Sequence, residues 1–356
     1  MKEYSEVREG NREIPWCNYI RVIACLMVVS LHSLPGGEIC KPDSYFRYLV
    51  VLFVRPCVPL FLMLTGFLLI RQNISILPPP MRFYRKRIPR IFFPLIFWGI
   101  IYAILPYCIG IGEKHQMLID IVMTPVAYPR EIGGILWYLF ILLGIYLILP
   151  FFTSKLWTDS LYQKIYLSLW ICASIVGYFK CINPFLFGVV PFCNFDLFLY
   201  FSGYVGYLLL GFIIGNKSEG LKLTKPLSAI ILMGAYVICI VCIWLCSYDE
   251  PTALYIGGGF LGIFTIIMSA IMFYFLRHIR WRTSGLIYKL CCHLSKLSFA
   301  IYLCHMVIYK LFSCRLYGIS TSPIMQIVIM LLTFCGAYCL AWLLYKLPYH
   351  KYTIGT

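Results

Sequence analysis

Arg21 and His32 interrupt an otherwise apolar stretch, WCNYIRVIACLMVVSLHS, and stand eleven residues apart. At 100° per residue, eleven residues make about three helical turns, so the two side chains share one face, about 16 Å apart along the axis. A neutral imidazole can take a proton from a hydroxyl as general base, and a guanidinium is a permanent cation suited to phosphate. Both residues also have a plainer reading, Arg21 as an anchor at a membrane surface and His32 as a polar helix–helix contact. A second histidine, His305, sits within another apolar run, LSFAIYLCHMVIYKL. Ionisable groups at such positions are costly, which makes each a candidate for function.

A dense basic segment, RQNISILPPPMRFYRKRIPRIFFP, carries the chemistry for an anion. Arg87 and Arg90 are three apart and point the same way on a helical turn, and Arg82 and Arg85 repeat that spacing one turn earlier. Guanidinium forks hold phosphate through paired, charge-assisted hydrogen bonds. The same cluster would also serve as a topology determinant against anionic lipid headgroups. In GGILWYLFILLGIYLILP, Trp137 and Tyr138 open an apolar run where an aromatic belt would put them. RPCVPLFLMLTGFLLI sets Arg55 beside Pro56 and Pro59, which remove backbone donors, and its Thr65-Gly66 offers a small surface for close helix packing.

Composition decides what elements carry these residues. Of 356 residues, 61% are hydrophobic and 12% charged, with a mean hydropathy of +0.84. A soluble domain carries about 25% charged residues, so this chain lacks the polar surface for a water-exposed fold. Disorder, coiled coil and a secreted disulfide scaffold are excluded with it. Ten apolar stretches approach or reach bilayer-spanning length: 16–34, 48–70, 89–109, 133–152, 165–179, 196–215, 227–247, 256–276, 297–313 and 323–345. The fifth is short and the second is interrupted, which leaves nine or eleven spans open. The expected fold is an all-α membrane bundle of about ten transmembrane helices. It forms one integral-membrane domain over 1–356, with a cytoplasmic segment at 1–15 and no added soluble domain. The polar, mixed-charge first 19 residues do not read as a cleavable signal peptide.

The formal net charge of +16 would suggest nucleic acid on a soluble protein. Here the basic residues gather between apolar runs, 22 of the 30 on the side of the N-terminus and six opposite, which makes both termini cytoplasmic. Membrane lipids, not nucleic acid, are the partners this predicts. The 17 cysteines lie mostly inside apolar runs, where Cys is a small hydrophobe, and no zinc spacing recurs among them.

Taken in order, these motifs resemble the acyltransferase 3 family of multi-span membrane acyltransferases, from Trp16 to about Pro348. The resemblance is carried by Arg21-x10-His32, by VPLFLMLTGFLL (where the family usually has Ser in place of Thr65), by Arg87-x-x-Arg90, by LWYLFILLGIYLILP and by IYLCHM. It implies a bacterial cell-membrane (inner membrane) enzyme that moves an acyl group, usually acetyl, from cytoplasmic acyl-CoA. The acceptor implied is a hydroxyl of a cell-surface polysaccharide or its lipid-linked sugar precursor. No permanently bound cofactor and no metal are implied, with acetyl-CoA as donor substrate. Under this resemblance Arg87, Arg90 and Arg85 bind the CoA phosphates, His32 acts as general base, and Arg21 joins it in the catalytic set, either neutralising phosphate or lining the CoA passage. Trp137 and Tyr138 stack on a sugar or border the thioester, and His305 assists His32. No carboxylate within the spans is placed to orient His32, so a triad-like arrangement is not supported. The rival reading is a transporter or flippase for a glycan or lipid-linked intermediate, which shares the spans and buried bases but performs no thioester chemistry.

Overall fold

In lipid every backbone N–H and C=O must be satisfied within the chain, and an α-helix does this locally. The computed structural model of the protein describes residues 14–33, 45–73, 80–130, 132–151, 154–186, 200–216, 225–247, 259–316 and 323–355, and among them the regular elements are all helical. They are α1 (Pro15–Ser33), α2 (Tyr45–Val54), α3 (Cys57–Asn73), α4 (Pro80–Arg87), α5 (Pro89–Cys108), α6 (Lys114–Met123), α7 (Trp137–Ile148), α8 (Ser154–Thr158), α9 (Ser160–Leu186), α10 (Val205–Asn216), α11 (Lys225–Ser247), α12 (Ile263–His278), α13 (Gly285–Leu316), α14 (Pro323–Lys346) and α15 (His350–Thr353). Short 3-10 turns, Gly133–Leu136 and Leu149–Phe151, flank α7.

Among the described residues, six stretches are long and apolar enough to cross a membrane, and three shorter apolar helices lie at 205–216, 229–243 and 263–278. With α9 over the fifth expected span, this is an all-α membrane bundle of roughly ten spans, and the protein is a multi-pass membrane protein. Large apolar side chains such as Val237, Ile238, Leu331 and Leu343 face outward, which only a lipid solvent satisfies. Boundaries differ from expectation at several spans: α10 begins at Val205 and α12 at Ile263, later than the expected 196 and 256. The ninth span begins at Gly285, twelve residues before 297, because its first turns carry Lys289, His293, Ser295 and Lys296 and so escape a hydropathy reading. Residues 187–199, which include the start of the sixth expected span, lie outside the described residues.

The second expected span is two helices, α2 and α3, broken at Arg55-Pro56. Pro56 has no N–H to give, and regular bonding resumes where Leu60 N donates to Pro56 O at 2.9 Å. Pro59 falls in the first turn of α3, where its missing donor costs nothing.

Helices α3 and α10 meet backbone to backbone. A Cβ on Gly66 would lie 2.1 Å from Leu208 O, and one on Gly211 would lie 2.1 Å from Met63 O. Each glycine thus makes room for the other helix's main chain, the close approach that small residues allow in membranes. Thr65 does not compete for this contact, because its hydroxyl donates to Phe61 O one turn back at 2.8 Å. Gly66→Leu or Gly211→Val must therefore part the two helices. A loss of roughly 1–3 kcal/mol is expected, read as a lowered melting temperature of the detergent-solubilised protein. Gly144→Ala, with nothing within 4 Å of the new methyl, should leave that temperature unchanged.

Candidate active site

Helix α1 runs alongside α13 in the same direction. Ser295 Oγ donates to Asn18 Oδ1 at 2.8 Å, Cys25 Sγ meets Ser298 O at 3.5 Å, and the His32 and His305 rings lie 5.5 Å apart at 46°. The sequence offset across these contacts is nearly constant, 277 and then 273, as parallel helices require. Three side chains of α1 thus meet α13 along a seam that leads from the N-terminal end of α1 to the two histidines, while Ser30 turns to Met330 on α14.

His305 is fully buried, and its Nδ1 lies 2.6 Å from Tyr302 O. A carbonyl oxygen only accepts, so Nδ1 carries the proton and Nε2 is left as an acceptor. That Nε2 is buried with no hydrogen-bond partner among the described residues. His32 is half-buried, and none of the described residues hydrogen-bonds it. A backbone carbonyl thus orients the His305 ring.

Tyr302 holds this stretch of α13 in place. Its hydroxyl donates to Ile135 O, in the turn before α7, and its ring stands edge-on to Tyr138 at 5.8 Å and 6.0 Å from His305. Next along the chain, Leu303 O accepts from Tyr102 on α5 at 2.6 Å, and Cys304 Sγ meets Ala337 O on α14 at 3.2 Å. Three neighbouring elements therefore fix consecutive residues up to His305.

Above α1, Arg55 is buried, with its guanidinium over the Phe260 ring at 5.6 Å. Trp137 stacks on Phe260 at 5.3 Å and 23° and lies 5.9 Å from Tyr204, while Tyr207 donates to Phe260 O at 2.5 Å. Sequence reasoning placed Trp137 and Tyr138 together, whereas the fold separates their roles. Trp137 joins this outer aromatic group, and Tyr138 packs inward on Tyr302. Reasoning from sequence passed over Tyr302 and Phe260 and gave Arg55, set beside Pro56 and Pro59, no role in the site. The available signal was the helix break at Pro56, which leaves irregular backbone that membranes tolerate only inside protein or beside a cavity.

Arg21 is not brought to His32. Its Nη1 lies 3.4 Å from Asn18 Oδ1, one turn toward the N-terminus, which holds it at the cytoplasmic end of the seam. Arg85 and Arg90 are exposed and Arg87 is half-buried. The junction between α4 and α5 stays helical through Ile88, which donates to Tyr84 O at 3.0 Å. Arg87 and Arg90 accordingly share a side. Phe83 lies edge-on to Tyr146 at 5.9 Å, and Tyr84 donates to Leu147 O at 2.7 Å, so the apolar side of α4 clamps it to α7. Asp120, a buried acid on α6 of the type that could bond a sugar, is committed elsewhere. Its carboxylate accepts from Gln116 Nε2 at 2.7 Å and Arg130 N at 3.2 Å.

Together these contacts place two imidazoles in a buried seam and a pair of guanidiniums at the cytoplasmic side, as the charge bias assigns it. Tyr302→Phe keeps the ring contacts and strips one buried hydrogen bond, leaving Ile135 O unsatisfied. A cost of about 1–3 kcal/mol is expected, measured as a lowered melting temperature, while Tyr84→Phe at the exposed end should cost less.

The family model described as an acyltransferase domain matches residues 14–346. No curated protein and no solved structure matches the chain. The matched region takes in both histidines, the basic cluster and the α1–α13 seam, and the chain belongs to the acyltransferase 3 family.

Proposed function

We propose that this acyltransferase carries an acyl group, acetyl by the family's habit, from cytoplasmic acyl-CoA to a hydroxyl of a surface polysaccharide or its lipid-linked precursor, in a bacterial cell membrane. The observation that carries the reading is the meeting of His32 and His305 inside the α1–α13 seam, with Arg87 and Arg90 at the cytoplasmic side. Arg87, Arg90 and the exposed Arg85 receive the phosphates of CoA. The uncharged pantetheine arm is narrow enough to pass between helices, with Arg21 at the seam's cytoplasmic end.

In the reaction, His32 takes the proton of the acceptor hydroxyl as its oxygen attacks the thioester carbonyl carbon. The tetrahedral intermediate then collapses, the carbon–sulfur bond breaks, and the CoA thiolate recovers the proton from the imidazolium. His305, with Nδ1–H held on Tyr302 O, presents Nε2 as a second acceptor and assists His32. General-base assistance of this kind is worth roughly 10²–10⁴-fold. The burial of His305 and the partial burial of His32 limit the water that competes with the acceptor for the thioester. Trp137, Phe260 and Tyr204 offer ring faces on which a sugar can stack.

His32→Ala should abolish acyl transfer while CoA binding is retained. Full turnover by that variant with its acceptor, in reconstituted membranes, would remove the general-base role. Alanine at both Arg87 and Arg90 should weaken CoA binding to protein in nanodiscs without preventing insertion. Titration calorimetry reads this directly: unchanged affinity would return the cluster to a headgroup contact, and no CoA binding by the folded parent protein would favour transport.

A further inference from the structure

After α14 the chain reverses on itself. Tyr349 takes the left-handed conformation (φ 74°), which crowds a residue with a Cβ, and the reversal folds α15 back onto the cytoplasmic start of α5. Trp98 Nε1 donates to Thr353 O at 2.9 Å, Tyr352 lies edge-on to Phe93 at 5.2 Å, and Ile354 is fully buried within the main apolar core. Ile354 N in turn donates to His350 O at 2.8 Å, which closes the turn.

Gly355 then stands against Arg90. Its φ is +70°, and a Cβ there would lie 2.3 Å from the Arg90 carbonyl oxygen and 3.1 Å from Phe299 Cε1. The Arg90 carbonyl is open to this approach because of Pro94. The residue four positions on would normally donate to it, but proline has no N–H and its ring drives that carbonyl outward. Gly355 meets it with an α-hydrogen where any other residue would place a side chain. On its other side Phe299 stacks on Tyr302 at 6.3 Å and 22°, and Tyr302 carries the carbonyl that holds His305. The segment is thus wedged between the first turn of α5, which bears Arg90, and the helix that bears His305.

We propose that His350–Gly355 is a positioning element of the donor site: by filling the gap between α5 and α13 it fixes where Arg90 stands, and so how tightly the donor's phosphates are held. The inference rests on the reading of Arg87 and Arg90 as the CoA mouth. Gly355 and Trp98 act through Arg90 and touch no reacting atom.

The test uses the full chain in nanodiscs, with Gly355→Val, Trp98→Phe and Tyr349→Gly compared by CoA titration calorimetry and by thioester turnover. Gly355→Val should weaken CoA binding and raise the KM for acyl-CoA by roughly tenfold or more, with kcat held within about twofold. Trp98→Phe, which keeps a ring in the core but removes the hydrogen bond to Thr353 O and the bulk of the second indole ring, should shift KM the same way by less. It carries the test alone if Gly355→Val does not fold. Tyr349→Gly relieves the left-handed residue and should leave CoA affinity at least as tight as in the parent. CoA affinity equal to the parent's in the folded Gly355→Val and Trp98→Phe proteins overturns the inference while the donor reading stands. A folded parent that does not bind CoA overturns both. A fall in kcat with KM unchanged would also overturn it, since the segment would then act on the histidines and not on Arg90.

Discussion

A bilayer offers polar side chains no solvent, so each must find a partner inside the protein or not be there. One seam in this chain shows how that constraint is met. Asn18, Cys25 and His32 on α1 are set against Ser295, Ser298 and His305 on α13, pair by pair, by two helices that run the same way. Neither helix could turn this face to lipid without stranding an amide, hydroxyls and an imidazole. The register of the seam is therefore over-determined, and the two histidines meet because every polar contact below them fixes the same offset. The rest of the bundle serves to keep that seam closed. Tyr102, Ile135 and Ala337, from three other elements, pin three consecutive residues of α13 just before His305.

Proline and glycine do the remaining shaping, each by what it lacks. Pro56 lacks a donor, so the second span breaks, and Arg55 sits buried at the break with its guanidinium over Phe260. Pro94 withholds a donor from Arg90 O, and the displaced carbonyl is met by Gly355, which lacks a Cβ. Gly66 and Gly211 let α3 and α10 touch main chain to main chain. In water such contacts would rival the hydrophobic effect only weakly. In lipid, where apolar burial between helices drives little, close packing and hydrogen bonding decide which helices associate.

The transfer proposed above would keep its two substrates on opposite sides of the reacting atoms, and three groups of side chains lie apart in the bundle in a way that suits it. Guanidiniums gather where α4 is clamped to α7, aromatic rings gather around Phe260, and the imidazoles lie within the seam between α1 and α13. Asp120 shows how an attractive candidate can be structural instead. Its carboxylate is consumed in tying α6 to the loop that leads into α7.

Much of this was legible from residue order alone. The spans follow from hydropathy because lipid admits only self-satisfied backbone, and the orientation follows from the lopsided distribution of Lys and Arg. Arg21, His32, Arg87, Arg90 and His305 stood out because charge and polarity are rare inside apolar runs. The early turns of α13 were missed for the converse reason, since a helix that starts polar carries no hydropathy signal. What the sequence could not decide was which face meets which. Helical periodicity says that His32 and Arg21 share a face of α1, but not that His32 meets His305 while Arg21 bonds to Asn18. Nor does it say that Tyr138 turns inward to Tyr302 while its neighbour Trp137 joins Phe260, or that Gly355 returns to Arg90. Those pairings join residues far apart along the chain, and they are set by how closely backbones can approach and which hydrogen bonds remain to be made, properties that exist only once the helices have packed.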